Sequence, residues 1–461
     1  MTKKIHISEL LDNLGNFLED TNLDSIPDEI IERAKLTIAD TLAVIFRGSE
    51  EREIQKLHKN LDSIEESFIL SKDFKMTSAE KAAFVNITQS TFIELDEGTI
   101  TGHHPAIHIL PPILSYAQKH SKSGRDILLS FILGYEIYAR FSEGIKLRDG
   151  FYPHGNIGHI ASSIAIGKME DWNKEKFINA ILMSSSLQLA TSYEASKVGA
   201  TISTVFASFS APISFLIKDL VDSGFYGFKN SLNDMYENLI GNEIDYEKII
   251  NNIGKEFKIL DTYFKFHANC GVCHPAIEAA IDALEYTLQN ESYPPYQGEM
   301  KILPEEIESI IIIQGNSKTS RVMTIANNKF SAKFSLPYSI SVFLKYGRLD
   351  LECFNDNLVK NKEIIDLQKK VHFKYCKEML ENPKSCKIKI NLKNGKILEG
   401  ECIDVYGRPK RKARKIDIKN KFDYLLKEIF SKHYIELLWY NIKELENIES
   451  VEELFNINKI S

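Results

Sequence analysis

Ser25-Ile26-Pro27-Asp28-Glu29-Ile30-Ile31, continued to Leu42, is the stretch on which the fold turns. Pro27 stands at a helix start, Asp28 and Glu29 sit beside the positive end of the helix dipole, and Ile30, Ile31, Ala34, Ile38 and Leu42 form one apolar stripe. The helix should end near Gly48. Working outward, the same language continues at 77–95, 105–121, 124–141, 156–170, 174–193 and 201–222, joined by short turns. Such spacing predicts packed antiparallel helices. Residues 127–137 and 177–190 are apolar around most of their circumference, as expected of helices surrounded by others.

After residue 262 the pattern changes. Ile307 and Ile310 to Ile313 form a β-branched run that ends at Gly315, which predicts a strand. Helical segments follow at 335–346 and 355–368. Residues 387–392 then alternate polar and apolar, Asn394-Gly395 offers the positive-φ pair of a type I′ turn, and 396–403 returns, predicting a hairpin. Residues 408–415 are basic and read as a solvated connector before a last helical stretch at 417–445. The fold class is therefore mainly α: a large all-α domain, residues 1–261 plus 409–461, with an inserted smaller α+β domain, residues 262–408. A ligand cleft is expected between them.

The 461 residues carry 43% hydrophobic and 26% charged side chains, which excludes a disordered or fibrous chain. Fifty-seven Lys plus Arg against 64 Asp plus Glu leave a formal charge of −7, which argues against nucleic acid as a partner. The first twenty residues turn amphipathic and acidic at once, without a signal-peptide apolar core, so a cytoplasmic protein is expected. Residues 198–217 are uncharged and long enough to span a bilayer, yet hold Thr201, Ser203, Thr204, Ser208, Ser210, Pro212 and Ser214. We expect a buried helix there and no membrane partner. Six scattered Cys fit a reducing compartment.

Four segments could carry chemistry. In Glu94-Leu-Asp96-Glu-Gly-Thr-Ile-Thr-Gly-His103-His104-Pro105, carboxylates precede paired histidines, a pattern able to orient and tune an imidazole; the plain alternative is a helix end, an acidic loop and a Pro-initiated helix. Gly150-Phe-Tyr152-Pro-His154-Gly-Asn-Ile-Gly158-His159 places an imidazole before a helix N-terminus, where backbone donors favour carboxylate ligands. Lys265-Phe-His267-Ala-Asn-Cys270-Gly-Val-Cys273-His274-Pro275 contains a Cys-x-x-Cys-His pattern, but haem attachment, zinc and thioredoxin-like chemistry each lack their usual context, so both cysteines read as small buried hydrophobes. Lys329-Phe-Ser-Ala-Lys333-Phe-Ser335-Leu-Pro-Tyr338 offers a lysine for a carboxylate and a phenol as proton donor, or simply a helix start with a snorkelling lysine and a core tyrosine. Nucleotide-binding, serine-hydrolase and zincin signatures are missing from the sequence. No cofactor or metal is expected; the residues suit proton movement on a small acid.

Taken in order, Ala39-Asp-Thr-Leu-Ala, Glu94-Leu-Asp-Glu-Gly with His104-Pro-Ala, Tyr152-Pro-His-Gly, Gly199-Ala-Thr, Cys273-His-Pro-Ala-Ile-Glu-Ala-Ala and Ala332-Lys-Phe-Ser-Leu-Pro-Tyr resemble the MmgE/PrpD family over nearly the whole chain. That family includes 2-methylcitrate dehydratase, cis-aconitate decarboxylase and iminodisuccinate epimerase. The resemblance implies an all-α domain with an α+β lid, a homodimer, and cofactor-free chemistry on di- or tricarboxylic acids. It places His104, His274, Tyr338, Asp96 and His154 in catalytic positions, and Glu94 and Lys265 in matching segments. Two departures stand out. Tyr152 replaces the histidine of a Gly-Phe-His-Pro loop, with the imidazole displaced to His154. Thr201-Ile-Ser203-Thr204 stands where members carry a basic carboxylate clamp, which Lys197 would have to replace.

The expected function is a lyase acting on a small hydroxy di- or tricarboxylic acid, with dehydration favoured. His104, oriented by Asp96 or Glu94, is the base; Tyr338 or His274 protonates the departing oxygen; Lys265, Lys333, His103, Lys197 and backbone donors near His154 hold the carboxylate. Epimerisation or isomerisation, decarboxylation, and a non-catalytic binding role are the alternatives. A homodimer formed through the helical domain is expected.

Overall fold

A computed structural model describes residues 5–289, 292–298, 302–382 and 384–456. The protein is mainly α. Eight principal helices build the first half: α1 (Ile7–Asp20), α2 (Asp28–Ser49), α3 (Ala79–Ile93), α4 (Pro105–Lys119), α5 (Gly124–Gly144), α6 (Gly158–Met169), α7 (Lys174–Ser185) and α8 (Ser210–Asp222). As the stripe predicts, α2 starts directly after Pro27 and buries Ile30, Ala34, Ile38 and Leu42. Helices α4 and α5 form the interior and pack on each other and on α6.

Residues 198–217 do not form the single buried helix expected. Two 3₁₀ turns, Thr201–Val205 and Ala207–Phe209, come first, and α8 begins only at Ser210. The Ser203 and Thr204 hydroxyls donate to the Ala200 and Thr201 carbonyls, competing with regular helix, while Pro212 is accommodated in the first turn of α8. Thr201–Asp222 is apolar enough to cross a membrane by length and composition, yet buries Ala207, Ala211, Phe215 and Ile217 against neighbouring helices. Val198, Ile202 and Leu216 remain exposed.

The later segment adds helix α9 (His274–Ala283), strand β1 (Ile307–Gln314), helix α10 (Leu336–Tyr346), and strands β2 (Val371–Tyr375), β3 (Cys386–Leu392) and β4 (Ile397–Cys402). The strand order is β4-β3-β1-β2; β3 runs antiparallel to both β4 and β1, and β2 parallel to β1. Helix α9 lies so close to β4 that a Cβ on Gly400 would come 2.2 Å from the Ala279 carbonyl oxygen. The hairpin forms, but not through a type I′ turn. Gly395 alone takes a positive φ, 86°, after a turn closed by Gly395 N–H to the Leu392 carbonyl, so Lys393-Asn394 make a type I turn ending in a left-handed glycine.

Helices α11 (Lys415–Leu426), α12 (Lys432–Lys443) and α13 (Val451–Phe455) return to the first layer, α11 and α12 packing on α2 and α13 on α4. A buried ion pair fixes this return: Lys421 Nζ lies 2.7 Å from Asp40 Oδ1 and donates to the Leu95 carbonyl at 2.9 Å. Burial pushes the Asp40 carboxyl up and the Lys421 ammonium down, each opposed by the other's charge. Lys421→Met should therefore lower the unfolding free energy by about 3–5 kcal/mol, and adding Asp40→Leu should recover most of the loss, measured by urea denaturation.

Candidate active site

A cleft of about 180 Å³ opens where α3 ends and α4 begins. Glu94 terminates α3 in the left-handed conformation, φ 55°, which turns the acidic segment inward. Backbone hydrogen bonds between Gly98 and Tyr263, 2.9 and 2.7 Å, tie that segment to the strand-like stretch carrying Lys265.

Asp96 is 1% exposed and lies between two cations: His104 Nδ1 at 2.8 Å and Lys265 Nζ at 3.6 Å. Burial alone would raise its pKa, but the charges of Lys265 and His104 hold it well below the usual carboxylate range. Burial works against the His104 imidazolium, yet the Asp96 carboxylate wins and raises its pKa. The Nδ1–H also faces the Glu97 carbonyl at 2.6 Å, so Nε2 is the ring nitrogen available to the cleft that His104 lines. Glu97 behaves oppositely to Asp96. Its Oε1 accepts from the Ala106 N–H at the start of α4 at 2.6 Å, and burial pushes its carboxyl up to about 8. Two neighbouring carboxyls are thus driven apart, one ionised and one protonated at pH 7.

The displaced histidine of the Tyr152-Pro-His loop does reach the cleft: the His154 and His104 ring centres are 5.4 Å apart. Behind His154 stands His108, absent from the expected set, with Nε2 2.9 Å from His154 Nδ1 and Nδ1 2.6 Å from Ser210 Oγ. Gly158 makes room for it, since a Cβ there would come 2.1 Å from His108 Nδ1. Burial drives the His154 pKa well down and that of His108 to about 3, so both are neutral. His103 also lines the cleft and is pushed down to about 3.

Lys265 is buried at the cleft, 3.3 Å from Glu94 Oε1. Four expected residues are engaged elsewhere. Tyr338 donates to the Cys353 carbonyl at 2.7 Å, and His274 uses Nδ1 on the Tyr263 hydroxyl and Nε2 on the Asn269 carbonyl at 3.0 Å. Neither lines the cleft; Tyr263, which His274 holds, does. Lys333 donates to the Phe92 carbonyl at 2.8 Å beside a smaller neighbouring cavity, and burial pushes it down to about 8. Lys197 pairs with Glu194 at 2.7 Å and does not replace a clamp. The basic connector is not merely solvated either, because Arg408 is 4% exposed and lines the cleft with Lys318, Arg321 and Lys384. Cys270 and Cys273 are buried, all six cysteines are free, and among the described residues no group of three or more His, Cys, Asp and Glu is placed to hold a metal ion.

The MmgE/PrpD N-terminal domain model matches residues 12–236 and the C-terminal domain model residues 267–438. The chain belongs to the MmgE/PrpD family. Its relatives include cis-aconitate decarboxylase of Homo sapiens, 22% identical over 98% of this chain and 95% of that one. The Mus musculus cis-aconitate decarboxylase is 23% identical over 98% and 94% of the two chains. A cis-aconitate decarboxylase-like protein of Aspergillus oryzae is 21% identical over 96% and 95%. The matched members are lyases.

The charge assignments are open to direct measurement. A pH titration followed by imidazole ¹⁵N spectra should place His104 above the ordinary imidazole range and His108 and His154 below it, with His108 still neutral at about pH 5.

Proposed function

We propose that this MmgE/PrpD member is a cofactor-independent lyase acting on a small unsaturated or hydroxylated polycarboxylic acid, and that the bond broken is the one to a carboxylate carbon. The observation that carries this reading is the His104–Asp96 pair: a buried carboxylate 2.8 Å from the ring raises the imidazole pKa and so favours its acid form, which can deliver a proton, whereas the base expected for dehydration would have to be neutral. In the proposed step the C–C bond to one carboxylate breaks and carbon dioxide leaves. The electron pair stays on carbon, delocalised toward an adjacent carboxylate or double bond, and His104 Nε2–H protonates that carbon. His104 ends neutral and regains its proton from water. Asp96 orients the ring and stabilises its charged form, Lys265 keeps Asp96 ionised, and neutral His154, backed by His108, can meet the substrate without adding positive charge. The names of the matched relatives support decarboxylation.

Dehydration remains a second reading because Tyr263, hydrogen-bonded to His274, brings a hydroxyl to the cleft that could protonate a departing oxygen. Proton NMR with a panel of unsaturated and hydroxy polycarboxylates, read together with carbon dioxide release, separates the two. Carbon dioxide with a new C–H bond is the expected result; a new alkene without carbon dioxide would replace it with dehydration. His104→Ala should lower turnover by about 10²-fold or more. Activity should fall as pH rises through the His104 pKa, since the acid form is lost, and Asp96→Asn should move that alkaline limb to lower pH.

We also infer a homodimer in which a second copy covers the exposed apolar side chains Val198, Ile202, Leu216, Phe225 and Phe228 of the helical layer. Sedimentation at micromolar concentration should give a dimer, weakened by Leu216→Glu; a wild-type monomer would overturn it.

A further inference from the structure

The ends of three neighbouring strands converge on the cleft. Because β3 runs antiparallel to β1 and β4, the end of β1, the start of β3 and the end of β4 lie at one edge of the sheet, with Ile313 and Glu401 both opposite Lys387. Just beyond these ends stand Lys318, Lys384 and Arg408, and all three line the cleft. Arg321 joins them but is already paired with Asp149 at 3.0 Å.

Arg408 is buried and Lys384 half-buried, while Lys318 is exposed at the cleft mouth, and among the described residues none of the three is joined to a carboxylate. Among the described residues neither Lys318 nor Lys384 has a side-chain hydrogen bond or ion pair, and the buried Nε of Arg408 has no partner. The Arg408 guanidinium lies 4.5 Å from the centre of the Tyr263 ring, which fixes its plane, and Tyr263 is fixed by His274. Glu94, a carboxylate in the same cleft, is engaged by Lys265. Burial and the neighbouring charges of Arg408 and Lys318 push the Lys384 ammonium down to about 7, with Asp404 offsetting them only in part. An arriving anion would relieve that repulsion, and a planar guanidinium beside a lysine suits a carboxylate.

We propose that Lys384, Arg408 and Lys318 form a carboxylate subsite that holds the non-reacting carboxylate of the substrate, distinct from the proton-transfer site at His104. It rests on the reading of this cleft as the site of a polycarboxylate lyase. The subsite supplies from the sheet segment the positive charge that Thr201-Ile-Ser203-Thr204 does not provide from the helical segment. Lys384 is then a specificity-determining residue, setting how many carboxylates a substrate must carry.

Isothermal titration of the full chain with propane-1,2,3-tricarboxylate, acetate and inorganic phosphate tests this, using wild type, Lys384→Gln and Lys384→Arg. The subsite predicts that Lys384→Gln weakens tricarboxylate binding by about tenfold or more, leaves acetate unchanged, and is rescued by Lys384→Arg. In turnover the loss should fall on KM rather than kcat. Equal tricarboxylate affinity in wild type and Lys384→Gln, no binding to wild type, or a Lys384-dependent preference for phosphate would each overturn it. The two readings fail separately: Lys384-dependent tricarboxylate binding without turnover removes the lyase and keeps the subsite, while turnover indifferent to Lys384 does the reverse.

Discussion

Asp96 carries a negative charge with almost no access to water, and it can do so only because Lys265 and His104 stand on either side of it. A lone carboxylate in that place would take up a proton, as Glu97 beside it does. The three groups come from the end of α3, the entry to α4 and the stretch before α9, so one electrostatic requirement fixes how distant parts of the chain meet. It also favours the protonated form of His104. Lys421, donating to the Leu95 carbonyl and facing Asp40, extends the same logic to the returning helix α11 and locks the backbone one residue from Asp96.

Around this centre the cleft separates its charges. The helical side holds His104, whose charged form Asp96 favours, and two imidazoles kept neutral by burial and linked through His108 to Ser210. The sheet side holds Lys318, Lys384 and Arg408, none of them ion-paired among the described residues, beside Arg321, which is paired with Asp149. A substrate bearing several carboxylates can bridge these surroundings, and the energy of neutralising the second can be used to orient the bond that breaks in the first. The family relationship supplies the class of chemistry, and the chain's own residues supply its polarity.

Much of the fold was legible in the residues because it rests on local signals. Pro27 with the apolar stripe of α2 marks a helix, and the isoleucine run of β1 with the alternation of β3 marks strands, since side-chain period reports backbone period. Where local signals compete, the reading fell short. The hydroxyl-rich run 201–209 favoured short 3₁₀ turns, and in the hairpin Gly395 alone, not Asn394, takes the left-handed conformation. The Glu94-to-His104 cluster was equally legible, because its residues lie within one turn-and-cap segment.

By itself the sequence determined the helical character, the hairpin, the acidic-histidine motif and the family, all of which depend on neighbouring residues or on motif order. Only the tertiary structure decided which side chains face the cleft. Tyr338 and His274 match family motifs, yet their polar atoms are taken by Cys353, Tyr263 and Asn269. His108 lies four residues beyond His104 in the apolar first half of α4, and is drawn into a polar chain only because Gly158 lets Ser210 and His154 close on it. Arg408 and Lys384, 24 residues apart on either side of the predicted hairpin, with Arg408 in the connector read as solvated, both reach the cleft because antiparallel pairing brings the start of one strand beside the end of the next, and no local pattern encodes that proximity.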